Sequence, residues 1–195
     1  MLAALIANLA GGKKKSGANP PPGVAKVAFV VAVKGETDAK KPPPIGSVKK
    51  ESDQIVSMLN DWYEQAFVDT SKFGDGTFPD IATHFVAAAS TSFSKDLATL
   101  TIGDARTEVK RVDPTTQSVK VTVYFGNGKP TYAIAAVHFT ANATMKQSGA
   151  YPLTIDQLVT YDFQKTAQGW VVTYYSAKQT QHSVVPSPSA SATSS

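Results

Sequence analysis

Between Ser47 and Val68 apolar residues recur at three- and four-residue steps, and Val48, Ile55, Val56, Leu59, Trp62, Tyr63, Ala66 and Phe67 form a wide stripe. Lys49, Lys50, Asp53, Asn60 and Asp61 fall opposite it, so the spacing predicts a long amphipathic helix whose apolar face covers something flat. Ser47 is placed to cap it. A turn-rich stretch, Asp69 to Thr77, precedes two shorter predicted helices, about Pro79 to Ala88 and Ser90 to Leu100, closed by Gly103. After Gly103 the period becomes two. Strands are predicted at about Arg106 to Asp113, Ser118 to Phe125, Thr131 to Lys146, Tyr151 to Lys165 and Trp170 to Ala177. The joints Asp113-Pro114-Thr115-Thr116, Gly126-Asn127-Gly128-Lys129 and Ala167-Gln168-Gly169 are hairpin-type signals, so neighbouring strands are expected to pair antiparallel. Helices followed by a meander give an α+β fold, and the two longest strands are expected to bend around a core at a bulge or a glycine.

This pattern assigns one domain to residues 47–180, with arms on both sides. In the first arm, residues 1–46, Met1 to Ala10 is apolar apart from Asn8 and is followed by Lys13, Lys14 and Lys15. Ten residues are too few to cross a bilayer, and the segment reads either as the tail of a longer hydrophobic stretch or as a frayed terminus. Two proline runs, Pro20 to Pro22 and Pro42 to Pro44, bracket Val24 to Val33. There Ala25, Val27, Phe29, Val31 and Val33 share one face at strand spacing, which predicts a strand docked on the domain edge. The second arm, residues 181–195, is mostly Ser, Ala and Pro and lacks the apolar content to order itself.

Charge sharpens the division. Residues 1–46 hold seven lysines against Glu36 and Asp38, net +5, whereas residues 47–195 hold twelve Lys and Arg against thirteen acids, net −1. The lysines of the arm come without arginine or interleaved aromatics, which argues against nucleic-acid recognition and fits either an anionic membrane surface or a solvated linker. The chain has no cysteine, which excludes disulfides, thiolate nucleophiles and thiolate metal sites.

Helix, two short helices and a long curved antiparallel sheet resemble the cone-shaped fold of the nuclear transport factor 2-like superfamily, which includes SnoaL-like cyclases and ketosteroid isomerases. More narrowly, Leu59 to Asp69, Leu97 to Gly103 and Ala135 to Ala141 are similar to uncharacterised actinobacterial envelope proteins of that superfamily. The resemblance covers about Ser47 to Lys178. Its motifs are structural and carry over no catalytic residue. It implies an extracytoplasmic protein, membrane-tethered or secreted, with a hollow between helix and sheet.

The candidate lining of that hollow is Trp62, Tyr63, His84, Val121, Val137, Phe139, Gln157 and Tyr161. The inward strand faces are apolar by parity, while Asp156 and Asp162 fall on the outer face, so no carboxylate pair suited to proton transfer is expected. His138 is outward with Tyr132 and Thr140, and only His84, beside Asp80, is placed to look inward. No metal or other cofactor is expected. Asp69, Ser71, Asp75 and Asp80 around Gly74 have a calcium-loop composition, but Phe73 stands where a ligand is needed. Asn142-Ala143-Thr144 is a glycosylation sequon inside a predicted strand. Three readings follow: a non-catalytic accessory or small-ligand-binding domain at a bacterial envelope, its hollow either filled by side chains or open to a small hydrophobic ligand as partner; a SnoaL-like isomerase or cyclase using His84, Gln157 or Tyr161; and a scaffold that homodimerises through an outer sheet patch of Tyr124, Tyr132, Ile134, His138 and Tyr175.

Overall fold

The computed structural model describes residues 7–8 and 25–183, and in them the two periodicities of the sequence become two layers. One is a sheet of five long strands, curved and unclosed; the other is a set of helices laid on its inner face. In chain order the elements are β1 (Ala7–Asn8), β2 (Val30–Thr37), α1 (Ile45–Tyr63), α2 (Pro79–Ala82), α3 (Ala87–Lys95), α4 (Leu97–Leu100), β3 (Val109–Gly126), β4 (Lys129–Met145), β5 (Leu153–Thr166) and β6 (Gly169–Ser183). Strands lie in sequence order across the sheet, with two-residue β1 beside β2. Expectations for residues 1–6, 9–24 and 184–195 lie outside the described residues. No helix among the described residues is long and apolar enough to cross a membrane.

The helix begins at Ile45, two residues before the expected start, because the Pro44 carbonyl accepts from the N–H groups of both Ser47 and Val48. Ser47 therefore lies in the first turn and makes no cap. After Tyr63 the helix widens into one π turn, Glu64–Val68, in which the Asp69 N–H donates to the Glu64 carbonyl. The wide turn leaves the Ala66 carbonyl to accept from the Ile102 N–H at 3.0 Å, tying α1 to the segment after α4.

Two strand predictions are corrected. Asp113-Pro114-Thr115-Thr116 is not a hairpin: β3 runs through it as one strand of 18 residues, with a register shift between Pro114 and Thr116 on the side of β4. Proline is tolerated there because β2 pairs with β3 only from Ser118 onward, so the Pro114 edge needs no donor. The strand expected at Val24 to Val33 pairs only as Val30–Thr37, and its partner β3 is parallel to it. Before Val30 the chain is extended without a ladder, and the N–H groups of Ala28 and Phe29 donate to Gln117 Oε1 and Asn60 Oδ1 instead. The expected parity holds, since Val27 and Phe29 are buried in the common core. Residues 25–46, read from the sequence as arm, thus form part of the packed sheet and its connection to α1. Likewise β6 continues to Ser183, where Leu153 pairs with it.

The other joints follow their residues. Asn127 and Gly128, with φ of 51° and 74°, make the tight β3–β4 turn of two left-handed residues that Asn-Gly favours. A bulge after Asp162 in the β5–β6 ladder has a larger consequence, because it shifts side-chain parity within β6. Trp170 and Val172 point inward before it, and Tyr175 and Ala177 after it. Tyr175, expected in the outer patch, therefore faces α3, where its hydroxyl donates to Asp96, and Tyr174 takes the outer position. The far edge of β6 is covered by residues 84–86, whose backbone exchanges two hydrogen bonds with Val172.

Candidate functional site

The inner face of the sheet and the α1 stripe enclose a hollow, and side chains fill it. Trp62 and Tyr63 enter from α1, Phe139 from β4, Tyr161 and Phe163 from β5 and Phe93 from α3; all six are fully buried. The Trp62 and Tyr161 rings are 4.9 Å apart between centroids, and those of Tyr63 and Phe139 are 5.2 Å apart. The π turn sets Phe67 stacked on Tyr63 at 5.3 Å, and Phe29 meets Tyr63 edge-on at 5.1 Å. Such aromatic contacts contribute about 0.5–1.5 kcal/mol each beyond area burial. Of the residues expected to line the hollow, Trp62, Tyr63, Phe139 and Tyr161 form this cluster, and Val121 and Val137 lie buried on the same sheet face.

The polar atoms inside are few. Tyr63 Oη and Tyr161 Oη lie 3.2 Å apart, and burial pushes both phenols above the ordinary tyrosine value. Both are neutral at physiological pH and serve as donors or acceptors, not as bases. Trp62 Nε1 and Gln157 Oε1 have no hydrogen-bond partner among the described residues. The buried carboxylate Glu51 is twelve residues, about 18 Å, along the helix from Tyr63, and it is fully engaged elsewhere.

His84 does not reach the cluster. It sits half-buried at the sheet edge, and its neighbour Phe85 is the residue that packs on Trp62, at 5.1 Å. Desolvation holds the imidazole below its ordinary value of 6.5, against the opposing pull of Asp61 and Asp80. The folded chain therefore binds this proton less readily than the unfolded chain does. The stability involved is present above pH 6.5 and lost as pH falls through the lower folded value. His84→Gln is expected to flatten that part of the stability profile in chemical denaturation between about pH 7 and pH 5; an unchanged slope would refute the assignment.

At the open end of the sheet three glutamines make a clasp that the sequence reading captured only in part. Gln157 Nε2 donates to the Thr99 carbonyl at 2.6 Å and to Gln179 Oε1 at 3.1 Å. Gln179 Nε2 donates to the carbonyls of Ala98 and Thr101, and Gln181 Nε2 to that of Ile102. Side-chain amides thus satisfy the carbonyls left unpaired at the end of the short helix α4. Gly103 closes the turn at φ 61°, where a Cβ would stand 3.2 Å from the Ala98 backbone. A cleft of about 240 Å³ lies outside this clasp, between Gly103, Asp104 and the two β6 glutamines.

Spacing in the sequence does not reveal a second polar group. Glu51 Oε2 accepts from Lys165 Nζ at 2.6 Å and from Trp170 Nε1 at 3.0 Å, joining α1 to the β5–β6 turn, and Lys165 lies 4.9 Å from the Trp170 ring centroid. The available signal was Glu51 beside Ser52 inside the apolar stripe, since polar residues on a buried helix face need partners. Glu51→Ala leaves Trp170 Nε1 and Lys165 without this acceptor and is expected to cost about 1–3 kcal/mol in urea unfolding. A loss no larger than that of an exposed-site control such as Lys49→Ala would refute this.

In the turn-rich stretch the carboxylates serve their own loops. Asp69 accepts from the N–H and hydroxyl of Ser71, and Asp75 from those of Thr77. Arg106 lies over Gly76, whose missing side chain leaves room for the guanidinium. Among the described residues no three His, Asp or Glu side chains converge as metal ligands. No protein-family model, curated protein or solved structure matches the chain.

Proposed function

We propose that this chain is a non-catalytic accessory domain with the nuclear transport factor 2-like cone arrangement, acting by contact and not by turning over a substrate. The observation that carries this reading is the filled hollow. An isomerase or a carrier of a small hydrophobic ligand needs that volume for its ligand, and here Trp62, Tyr63, Phe139 and Tyr161 occupy it, each exposed by 1% or less. The polar atoms among them, two neutral phenols and one indole N–H, supply no base. A long helix across a curved sheet with short helices at one end supports the cone arrangement, although function does not follow from fold.

The test uses Trp62 as its own reporter. With Trp170→Phe, Trp62 is the chain's single tryptophan, and its emission is expected to be blue-shifted and weakly quenched by acrylamide. Titration with cyclohexanol or 1-adamantanol, which neither absorb nor emit in the tryptophan range, is expected to leave the emission unchanged. A saturable change would overturn the reading and place a ligand in the hollow.

Placement at a bacterial envelope is part of the proposal and is supported by the basic N-terminal residues. With seven lysines in residues 1–46, the full chain is expected to bind anionic vesicles at low salt and release them at high salt. Replacing Lys13, Lys14, Lys15, Lys40 and Lys41 by Gln keeps the chain length and should abolish the salt-dependent part in a flotation assay. Equal binding by both proteins would sink the idea.

A further inference from the structure

We infer that the open edge of β2 is completed by the chain's own N-terminal segment, Ala3 to Asn8, added as an antiparallel strand. The inference goes beyond the reading of the hollow, since it concerns how the sheet is closed to other chains.

An uncovered edge offers unpaired N–H and C=O groups to any extended chain, and folded proteins block such edges with charge, proline, a bulge or a covering segment. The β6 edge has its cover in residues 84–86, which exchange two backbone hydrogen bonds with Val172. β2 lacks the first three devices. Its eight residues, Val30–Thr37, contain no proline and pair with β3 without a register shift. Their two charges, Lys34 and Glu36, neutralise each other at 2.6 Å. No residue of β2 is buried, whereas Val119, Val121 and Val123 beside it are. Val31 and Val33 face the core and stay half-buried, so the inner side of the edge lacks a covering row.

β1 marks the occupant. It lies on this edge, antiparallel, with Ala7 opposite Val33 and Asn8 opposite Ala32. The same register carried toward the N-terminus sets Ile6 opposite Lys34, Leu5 opposite Gly35, Ala4 opposite Glu36 and Ala3 opposite Thr37. All four are apolar, and residues 1–10 contain no proline, glycine or charged side chain to interrupt a strand. By parity Leu5 and Ala7 fall on the inner side with Gly35 and Val33. A side chain at Gly35 would run into Val48 and Pro43, so Leu5 beside it meets apolar surface. Ile6 falls on the outer side, along the aliphatic stem of Lys34. The sixteen residues from Leu9 to Val24 make the return. Extended, they reach about 50 Å, against at most about 23 Å for the stretch from Ala32 back to Ala25.

The chain has no cysteine, which makes paired cysteines a clean test. Ala3→Cys with Thr37→Cys and Ala4→Cys with Glu36→Cys sample both kinds of opposed pair, and the non-hydrogen-bonded kind brings its Cβ atoms within disulfide reach. In the full chain at about 1 µM under mild oxidation, the faster of the two is expected to close an intramolecular disulfide about tenfold or more faster than the off-register pair Ala4→Cys with Ala32→Cys. Without cysteines, Ile6→Pro is expected to speed hydrogen exchange of the β2 amides by about tenfold or more at an unchanged unfolding midpoint. Ser16→Pro, in the return, should leave that exchange as it is. Equal rates for on- and off-register pairs would mean that the segment only brushes the edge, and would overturn the proposal, as would β2 exchange that ignores Ile6→Pro. Disulfides that form mainly between chains would assign the edge to a second copy and overturn it too.

Discussion

Phe139→Ala is expected to destabilise the domain by about 3–5 kcal/mol, through lost burial and the cavity left behind. Phe139 is fully buried on β4 and packs against Tyr63 and Phe67, with ring centroids 5.2 and 5.1 Å away. Its neighbour His138 gives the internal control. That side chain is 43% exposed on the opposite face, and its ion pair with Asp156 is equally open to water. His138→Ala should therefore shift stability by no more than about 0.5 kcal/mol. Urea unfolding of the two variants measures the difference. The reverse ordering of the two variants would mean that β4 runs in the opposite register, with His138 in the core.

Where one face of a strand is buried, a one-residue slip exchanges core for solvent, so parity along β4 and β5 was legible from the sequence. Asp156, Asp162 and His138 accordingly lie outside and Phe139 and Tyr161 inside. What parity cannot see is a bulge. Tyr174 and Tyr175 are both aromatic, and nothing local decides which faces out; the register shift after Asp162 does. At Asp113-Pro114 the turn signal was genuine chemistry overridden by tertiary context, since an unpaired strand edge also accepts proline. The sequence leaves open whether the hollow is filled. Spacing puts Tyr63 and Tyr161 on facing walls, but whether two walls of side chains meet or leave a space depends on their summed volumes and rotamers, which spacing does not record. The same holds for the glutamine clasp. Gln157 stood out as a polar residue on an apolar face, whereas Gln179 and Gln181 lay beyond the last predicted strand.

A chain beginning at residue 47 is expected to lose its cooperative fold, whereas one beginning at Ala25 should unfold like the full-length protein. The difference rests on residues 25–46. Val27 and Phe29 are buried in the core, and Phe29 packs edge-on against Tyr63. Burial of these two side chains alone contributes about 3–6 kcal/mol, a large share of the roughly 5–15 kcal/mol that holds a typical domain together. β2 then pairs residue for residue with β3 from Val30 to Thr37. At Gly35 the approach to α1 is so close that a Cβ would stand 2.5 Å from Val48. Removing the strand would uncover one face of Val48 and leave the β3 edge from Ser118 to Phe125 unpaired, which invites strand-to-strand aggregation. Thermal unfolding with hydrogen exchange on chains 25–183 and 47–183 measures this directly. The expected result is a sharp transition with protected β3 amides for the first, and a broad or absent transition with fast exchange in β3 for the second. Equal midpoints and equal β3 protection would mean that the first strand only decorates the edge, and that the core is complete from α1 onward.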